Sequence, residues 1–357
     1  MKLTVVLVAC ICSLLLYTDR ASAQVFSGST VKHDTNYIQV YKDELTTRLF
    51  LSQKQSGYTL SEKYFNPRLA YKTNPNLLIG IGYTYSFLTL NLAVKLPLIN
   101  GDDDTYGETE TIDLQTHSIF RKFIIDFYLQ WNRGFYVSNP EDLLDDWDSG
   151  QPYPLRGDLR TNIVGLNLQY LFNSEKYSYK ASFVQNEFQK RSAGSPIVGV
   201  EGHWMLGMGD SLLIPGEFMS TNILNDYSDF NQVDMLNMGI NGGYAYTFVV
   251  KQRIYLSASF IVGVAAGKTR FHNTATSETQ FTGISLGLNN TSRISLGFNR
   301  KNFYIGASYI RFSMSNLADL DNGWVAYSTD NIRLNIVKRI RLKRDLIILR
   351  PDLWKFY

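Results

Sequence analysis

The sequence predicts an all-β fold, an antiparallel up-and-down transmembrane β-barrel, and three observations carry that expectation. Apolar residues recur with period two in nearly every stretch after residue 40, with no sustained helical period. The opposite face of those stretches is built from Gly, Ser, Thr, Asn and Ala rather than Lys and Glu, as in Ser257, Ser259, Gly263 and Ala265. Short connections alternate with long ones, as periplasmic turns and extracellular loops do.

The N-terminus comes first in order. Lys2 precedes an apolar run over residues 3–16, and Ala21-Ser22-Ala23 supplies a small-x-small cleavage site, so residues 1–23 are expected to be a cleaved signal peptide. Residues 24–43 would then form a short exported segment, 44–341 the barrel, and 342–357 a tail or last strand. Both cysteines, Cys10 and Cys12, fall in the signal segment, which excludes disulfides and thiol chemistry from the mature chain. Net charge is +3, which favours no particular partner. The chain has 23 Tyr and 21 Phe but only 19% charged residues, below the ~25% of ordinary soluble domains. No later stretch reaches the ~18 apolar residues of a spanning helix.

The strands follow. Leu77, Ile79, Ile81, Tyr83, Tyr85 and Phe87 alternate with small residues, and residues 77–98 read as one strand with a phase slip at Phe87-Leu88. Phe123 to Trp131, Val164 to Phe172, and Tyr177, Tyr179, Ala181 and Phe183 continue the alternation. Further strands are expected over 236–250, 254–264, 284–298, 303–312 and near 332–336. Many exceed the ~9–11 residues that cross a bilayer at a tilt, and such strands must close on themselves to pair their backbone groups. Tight links are expected at 73–76, 121–122, 173–176, 251–253 and 299–302, and longer ones at 99–110, 138–158, 189–195, 268–279 and 315–324. A weak extra strand over 211–221 restores the alternation and brings the count to fourteen, with twelve as the alternative.

Inner-face charges are the candidate site. By phase, Arg68, Asp126, Lys180, Glu201, Asp234, Arg293 and Arg333 should point into the lumen, with His203 two residues from Glu201 on the same face. So few charges among so many Gly and Ser favour a narrow or occluded lumen. Glu201 and His203 form a candidate pH-responsive pair. His117 and Ser118 are neighbours, but adjacent strand residues face opposite ways and no third member completes a catalytic set. Asp102, Asp103 and Asp104, and then Glu141, Asp142, Asp145, Asp146 and Asp148, lie in long connections. They read either as solvated loops or as oxygen ligands that bridge Ca²⁺ or Mg²⁺ to lipopolysaccharide, without an EF-hand spacing. The basic run Lys338, Arg339, Arg341, Lys343, Arg344 and Arg350 is expected at the periplasmic rim, facing lipid phosphates. No catalytic, metal or cofactor set is expected, and nucleic acid is excluded as a partner by the export signal.

Phe65-Asn66-Pro67-Arg68, then Pro75-Asn76 and Gly80-Ile81-Gly82-Tyr83-Thr84-Tyr85-Ser86-Phe87-Leu88, resemble a family of Gram-negative outer-membrane barrels that carries only a domain-of-unknown-function label. The hairpin Gly297-Phe298-Asn299 to Phe303 and the pattern across most of the mature chain share the likeness. The resemblance implies a barrel, and it brings no activity or site residues. The terminal Trp354-Lys355-Phe356-Tyr357 is similar to the aromatic signal read by the barrel-assembly machinery. The expected function is therefore a non-enzymatic outer-membrane barrel, a narrow or occluded pore or a structural component, whose partners are outer-membrane lipid, lipopolysaccharide and the assembly machinery. The alternatives are an outer-membrane enzyme acting on lipid and a soluble periplasmic β-rich binding protein.

Overall fold

A computed structural model describes residues 33–41, 44–61, 68–85, 88–96, 99–144, 146–148, 150–216, 218, 229–281, 283–317 and 323–341. In chain order the elements are β1 (Ile38–Val40), β2 (Glu44–Ser61), β3 (Arg68–Lys72), β4 (Leu77–Tyr85), β5 (Leu88–Lys95), α1 (Asp103–Tyr106), β6 (Glu110–Ile119), β7 (Phe123–Val137) and β8 (Leu155–Leu171). There follow α2 (Tyr179–Phe183), β9 (Glu187–Gln189), β10 (Ala193–Met208), β11 (Gln232–Val250), β12 (Ile254–His272), β13 (Thr279–Phe281), β14 (Ser285–Asn299), β15 (Phe303–Leu317) and β16 (Trp324–Arg341). Among the described residues no helix is long and apolar enough to cross a membrane.

The long strands close on themselves. From β7 through β8, β10, β11, β12, β14, β15 and β16 every neighbour is antiparallel, and β16 pairs with β2 along its whole length, from Trp324 opposite Ser61 to Arg341 opposite Glu44. Short β3 completes the ring by pairing both Gly57–Ser61 of β2 and Tyr136–Val137 of β7. Among the described residues the closed ring thus has ten strands, although fourteen belong to the sheet. The expected ring of fourteen, or twelve, differs for three reasons visible in the chain. Residues 77–98 are not one strand: they fold back as the β4–β5 hairpin. That hairpin hangs on Thr46–Gln53 of β2, below β3, and β6 hangs on β7. Residues 211–216 form no strand, and most of 217–228 lies outside the described residues.

Alternation sorts the faces. In β12 the inward row runs Tyr255, Ser257, Ser259, Ile261, Gly263 and Ala265, while Leu256, Phe260, Val262 and Val264 face outward and are exposed. Neighbouring strands repeat this, so an apolar belt with Ile240, Met238, Leu288, Ile294, Leu334 and Ile336 encircles the wall. Tight turns at 120–122, 251–253 and 300–302 sit at one end, and the longer connections 138–154, 209–231, 273–284 and 318–323 at the other. The wall bends at a bulge between Arg133 and Phe135. Gly134 there has φ +85°, and a Cβ would stand 2.1 Å from the Glu108 carbonyl oxygen, so only glycine fits.

Two features fill the interior. At the short-turn end, residues 172–192 fold inward instead of making the expected turn and strand. Tyr177, Tyr179 and Ala181, read as alternate strand positions, belong to a turn and to α2 and are buried. The N-terminal segment before β2 joins this plug, because β1 pairs with β9 and Asp34 N–H donates to the Glu175 carbonyl at 2.9 Å. At the long-loop end, the inward side chains Leu60, Phe135, Leu159, Met205, Val233, Phe271, Met314 and Val325 form an apolar core. Leu143, Leu213, Ile214 and Phe230 from the loops pack onto it.

Candidate functional site

Between the apolar core and the plug lies a polar layer built from inward positions of seven strands. Its centre is an ion pair: Arg293 on β14 donates to Asp126 on β7 at 2.5 Å, with side chains only 3% and 1% exposed. Arg293 Nη1 also donates to the Tyr179 hydroxyl at 2.8 Å, which ties the wall to the plug. Beside it Glu201 on β10 accepts from Asn241 at 2.7 Å and from Asn289 at 2.6 Å, and Asn237 donates to Asn289 at 3.0 Å. Charge-assisted bonds of this length hold a carboxylate firmly. Gly263 makes the space, since a Cβ there would stand 1.9 Å from Glu201 Oε1. His203 packs its ring 4.8 Å from Phe312 and 6.4 Å from Tyr128, over Gly165. Neither its ring nitrogens nor the Asn167 amide atoms have a protein hydrogen-bond partner.

The plug is anchored by its backbone. Arg48 donates to the Val184 carbonyl at 2.8 Å, Arg339 Nη2 to that of Gln185 at 2.7 Å, and Tyr255 and Ser295 to that of Ser182 at 3.1 Å each. Its own acid, Glu187, accepts from Ser178 at 2.5 Å and pairs with Arg121 at 2.6 Å. Burial pushes the Tyr177 and Tyr179 hydroxyls above the ordinary tyrosine value, so both are neutral. Burial lowers the Lys180 ammonium, opposed by the charge of Glu187. At the other end Arg156 makes a bidentate pair with Asp158, at 2.8 and 2.9 Å, and Arg156 and Tyr71 both donate to the Leu213 carbonyl. Asp158 in turn accepts from the backbone of Asp210 and Ser211. The loop over the lumen is thereby pinned.

The structure brings Asp126, Glu201, His203 and Arg293 together in this layer. Arg333 faces inward too, 4.6 Å above the Phe50 ring, but beside β2 rather than in the cluster. Three phase assignments are corrected. Arg68 is exposed at the rim of β3, where Leu69 takes the inward position. Asp234 faces outward, accepting from Trp204 at 2.8 Å and pairing with Arg270, because Val233 and Met235 point inward. Lys180 is half-buried in α2, not on a strand. His117 pairs in register with Asp126 and Ser118 with Ile125, successive positions that do not share a face. Arg339 leaves the expected rim and holds the plug; Lys338 and Arg341 are exposed, and Lys343, Arg344 and Arg350 lie outside the described residues.

The acidic connections serve local geometry. Asp102 and Asp103 each accept from the Asn74 amide at 3.1 Å, and Asp142 accepts from Asn139 at 3.1 Å. Asp104, Asp146 and Asp148 are exposed, and Asp145 lies outside the described residues. Among the described residues no group of three His, Cys, Asp or Glu could hold a metal ion. Asn241, Asn289 and the plug contacts are what reading the sequence missed: an inward Asn looks like any small wall residue until its opposite neighbour is known.

A closed antiparallel barrel with its lumen filled from both ends is the class these features define. The chain belongs to the family described as Domain of unknown function (DUF4421), whose model matches residues 32–337. No curated protein matches it. Among solved structures it is similar to the outer membrane protease OmpT from Escherichia coli, at 10% identity, covering 88% of this chain and 100% of that one with a TM-score of 0.36. It is also similar to the translocator domain of the autotransporter NalP from Neisseria meningitidis, at 7% identity, 94% and 98% coverage and a TM-score of 0.31. The outer membrane protein OprG from Pseudomonas aeruginosa follows at 9% identity, 87% and 100% coverage and a TM-score of 0.22.

Proposed function

We propose that this protein is an integral outer-membrane barrel whose lumen is occluded, a structural or gated component rather than an open diffusion pore or an enzyme. The observation that carries the reading is the pairing of an apolar outer belt with an interior filled by protein. Ile240, Met238, Phe260 and Leu288 lie on the outside of strands of 15–19 residues, where water would be a poor solvent for them. Lipid is the solvent that suits such a belt, and a closed ring is the form in which strands survive there. Inside, apolar side chains fill the long-loop end and the plug fills the short-turn end.

The test is fractionation with heat-modifiability. Extracted from outer membranes in mild detergent, the protein should migrate faster unheated than boiled. Recovery in the soluble periplasm without such a shift would overturn the reading and favour a soluble β-rich binding protein.

A further inference from the structure

Two strand edges of the wall face each other. β5 is hydrogen-bonded to β4 and β6 to β7, and among the described residues β5 and β6 do not pair. Exposure tells the same story. In intact wall, inward residues such as Phe50, Gln130 and Asn132 are buried. Along this seam Asn91 and Ala93 of β5, and Thr111 and Asp113 of β6, occupy inward positions and are exposed, as are the outward Leu92, Val94, Ile112 and Leu114. Exposure on both faces marks the seam between β5 and β6, which is bounded above by Asn74, bonded to Thr109, Asp102, Asp103 and Gly107.

The inner side of the wall behind the seam carries cations. Lys54 on β2 reaches Asp113 on β6 at 2.7 Å. Arg333 on β16 stands in register opposite Ser52 of β2, two residues from Lys54. Arg333 lies over the ring of Phe50, and its Nε is buried without a hydrogen-bond partner. Arg48, further down β2, is bonded only to neutral acceptors, Thr84 Oγ1 and the Val184 carbonyl. Gly80 and Gly82 on β4 keep the space over Phe50 and Arg48 clear; a Cβ at either would clash with those side chains. Lys54 thus stands beside the Asp113 carboxylate and Arg333 over the Phe50 ring, on the inner side of the wall next to the seam. Among the described residues each of these edges has a strand partner on one side only, and open edges in lipid call for polar partners.

We infer that this seam is a lateral portal that takes a single-chain anionic amphiphile from the membrane. The acidic headgroup sits on Arg333 and Lys54 and the hydrocarbon chain leaves between Leu92–Val94 and Ile112–Leu114. The inference rests on the membrane reading above, and fractionation tests that reading separately. Charge selects the headgroup, and the outward apolar residues of β5 and β6 accept the chain. A second copy of this protein is the competing occupant, since β5 of one copy runs antiparallel to β6 of another.

The experiment uses Ala93→Cys and Thr111→Cys, each alone in a full-length chain carrying Cys10→Ser and Cys12→Ser, purified in detergent. Both cysteines should react with a maleimide, whereas a Ser259→Cys control in intact wall should not. Dodecanoate should slow the reaction at positions 93 and 111, and dodecanol should not. Arg333→Gln should weaken that protection by about 30-fold, the low end for removing the partner of a desolvated charge, with heat-modifiability retained. A photoreactive fatty acid on the unmodified protein provides the second readout, with adducts expected on β5 and β6. Equal protection by dodecanol, unreactive cysteines, adducts elsewhere on the belt, or disulfide-linked dimers that form whether or not dodecanoate is present would each overturn the portal.

Discussion

Replacing Asp126 with Asn tests whether the buried ion pair holds the plug to the wall. Arg293 and Asp126 are 2.5 Å apart and 3% and 1% exposed, so water cannot take the place of the lost carboxylate. An exposed pair would contribute at most about 1 kcal/mol. Breaking a buried one leaves an uncompensated charge and costs about 3–5 kcal/mol, roughly 10²–10³ or more in the folded-to-unfolded ratio. Arg293 keeps Tyr179 as a neutral acceptor, which cannot neutralise it. The Asp126→Asn/Arg293→Met double variant removes both charges, and its loss should be smaller than that of either single change. Urea unfolding from lipid vesicles, followed by tryptophan fluorescence and by gel mobility, measures all three. An Asp126→Asn midpoint equivalent to less than about 1 kcal/mol of destabilisation would mean that the pair does not hold the plug, because a charge that cheap to strand must be in contact with solvent.

Other outcomes follow from the same geometry. Gly263→Ala puts a methyl 1.9 Å from Glu201 Oε1 and should cost about 1–3 kcal/mol in unfolding experiments by displacing the carboxylate from Asn241 and Asn289; an unchanged midpoint would mean Glu201 is not anchored. Ile240→Arg, at the middle of the outer face of β11, should destabilise the vesicle-inserted protein by about 2–4 kcal/mol, whereas Val250→Arg at the strand end should cost about 0–1 kcal/mol; equal costs would argue against a bilayer around the belt. Burial holds the folded-state Lys180 value below its ordinary 10.5. The unfolded chain then binds more protons between the two values, so stability rises with pH across that window. Lys180→Met should flatten this slope in urea midpoints taken from pH 8 to 10.5, and an unchanged slope would remove Lys180 as its source.

Much of the wall could be read before any coordinates. Leu256, Phe260 and Val262 alternating with Ser257, Ser259 and Gly263 state the barrel and its two faces, because a strand has only two sides and the small side must be the concave one. Phase failed where both faces are apolar. Val233, Met235 and Leu236 carry no alternation, so Asp234 was placed inward although Asn237, Gly239 and Asn241 fix the opposite phase. Phe135, Tyr136 and Val137 hide the apolar upper lumen in the same way. Tyr177, Tyr179, Ala181 and Phe183 show a period of two by coincidence, since a turn that enters a lumen needs inward apolar groups on every side. The β4–β5 hairpin was unreadable because residues 77–98 have the length of one spanning strand. Its reversal depends on β2 offering an edge below β3, a long-range fact. The same limit conceals Asp113 opposite Lys54, which are 59 residues apart.

Planar-bilayer conductance of the purified, heat-modifiable protein bears most directly on occlusion. The unmodified barrel should insert without a steady ohmic current. Replacing 175–190 with a short Gly-Ser turn should leave it silent, because the apolar core of wall residues Leu60, Phe135, Leu159 and Met205 still fills the other end. A steady current through the unmodified protein, or through the variant without its plug, would contradict a lumen filled from its two ends.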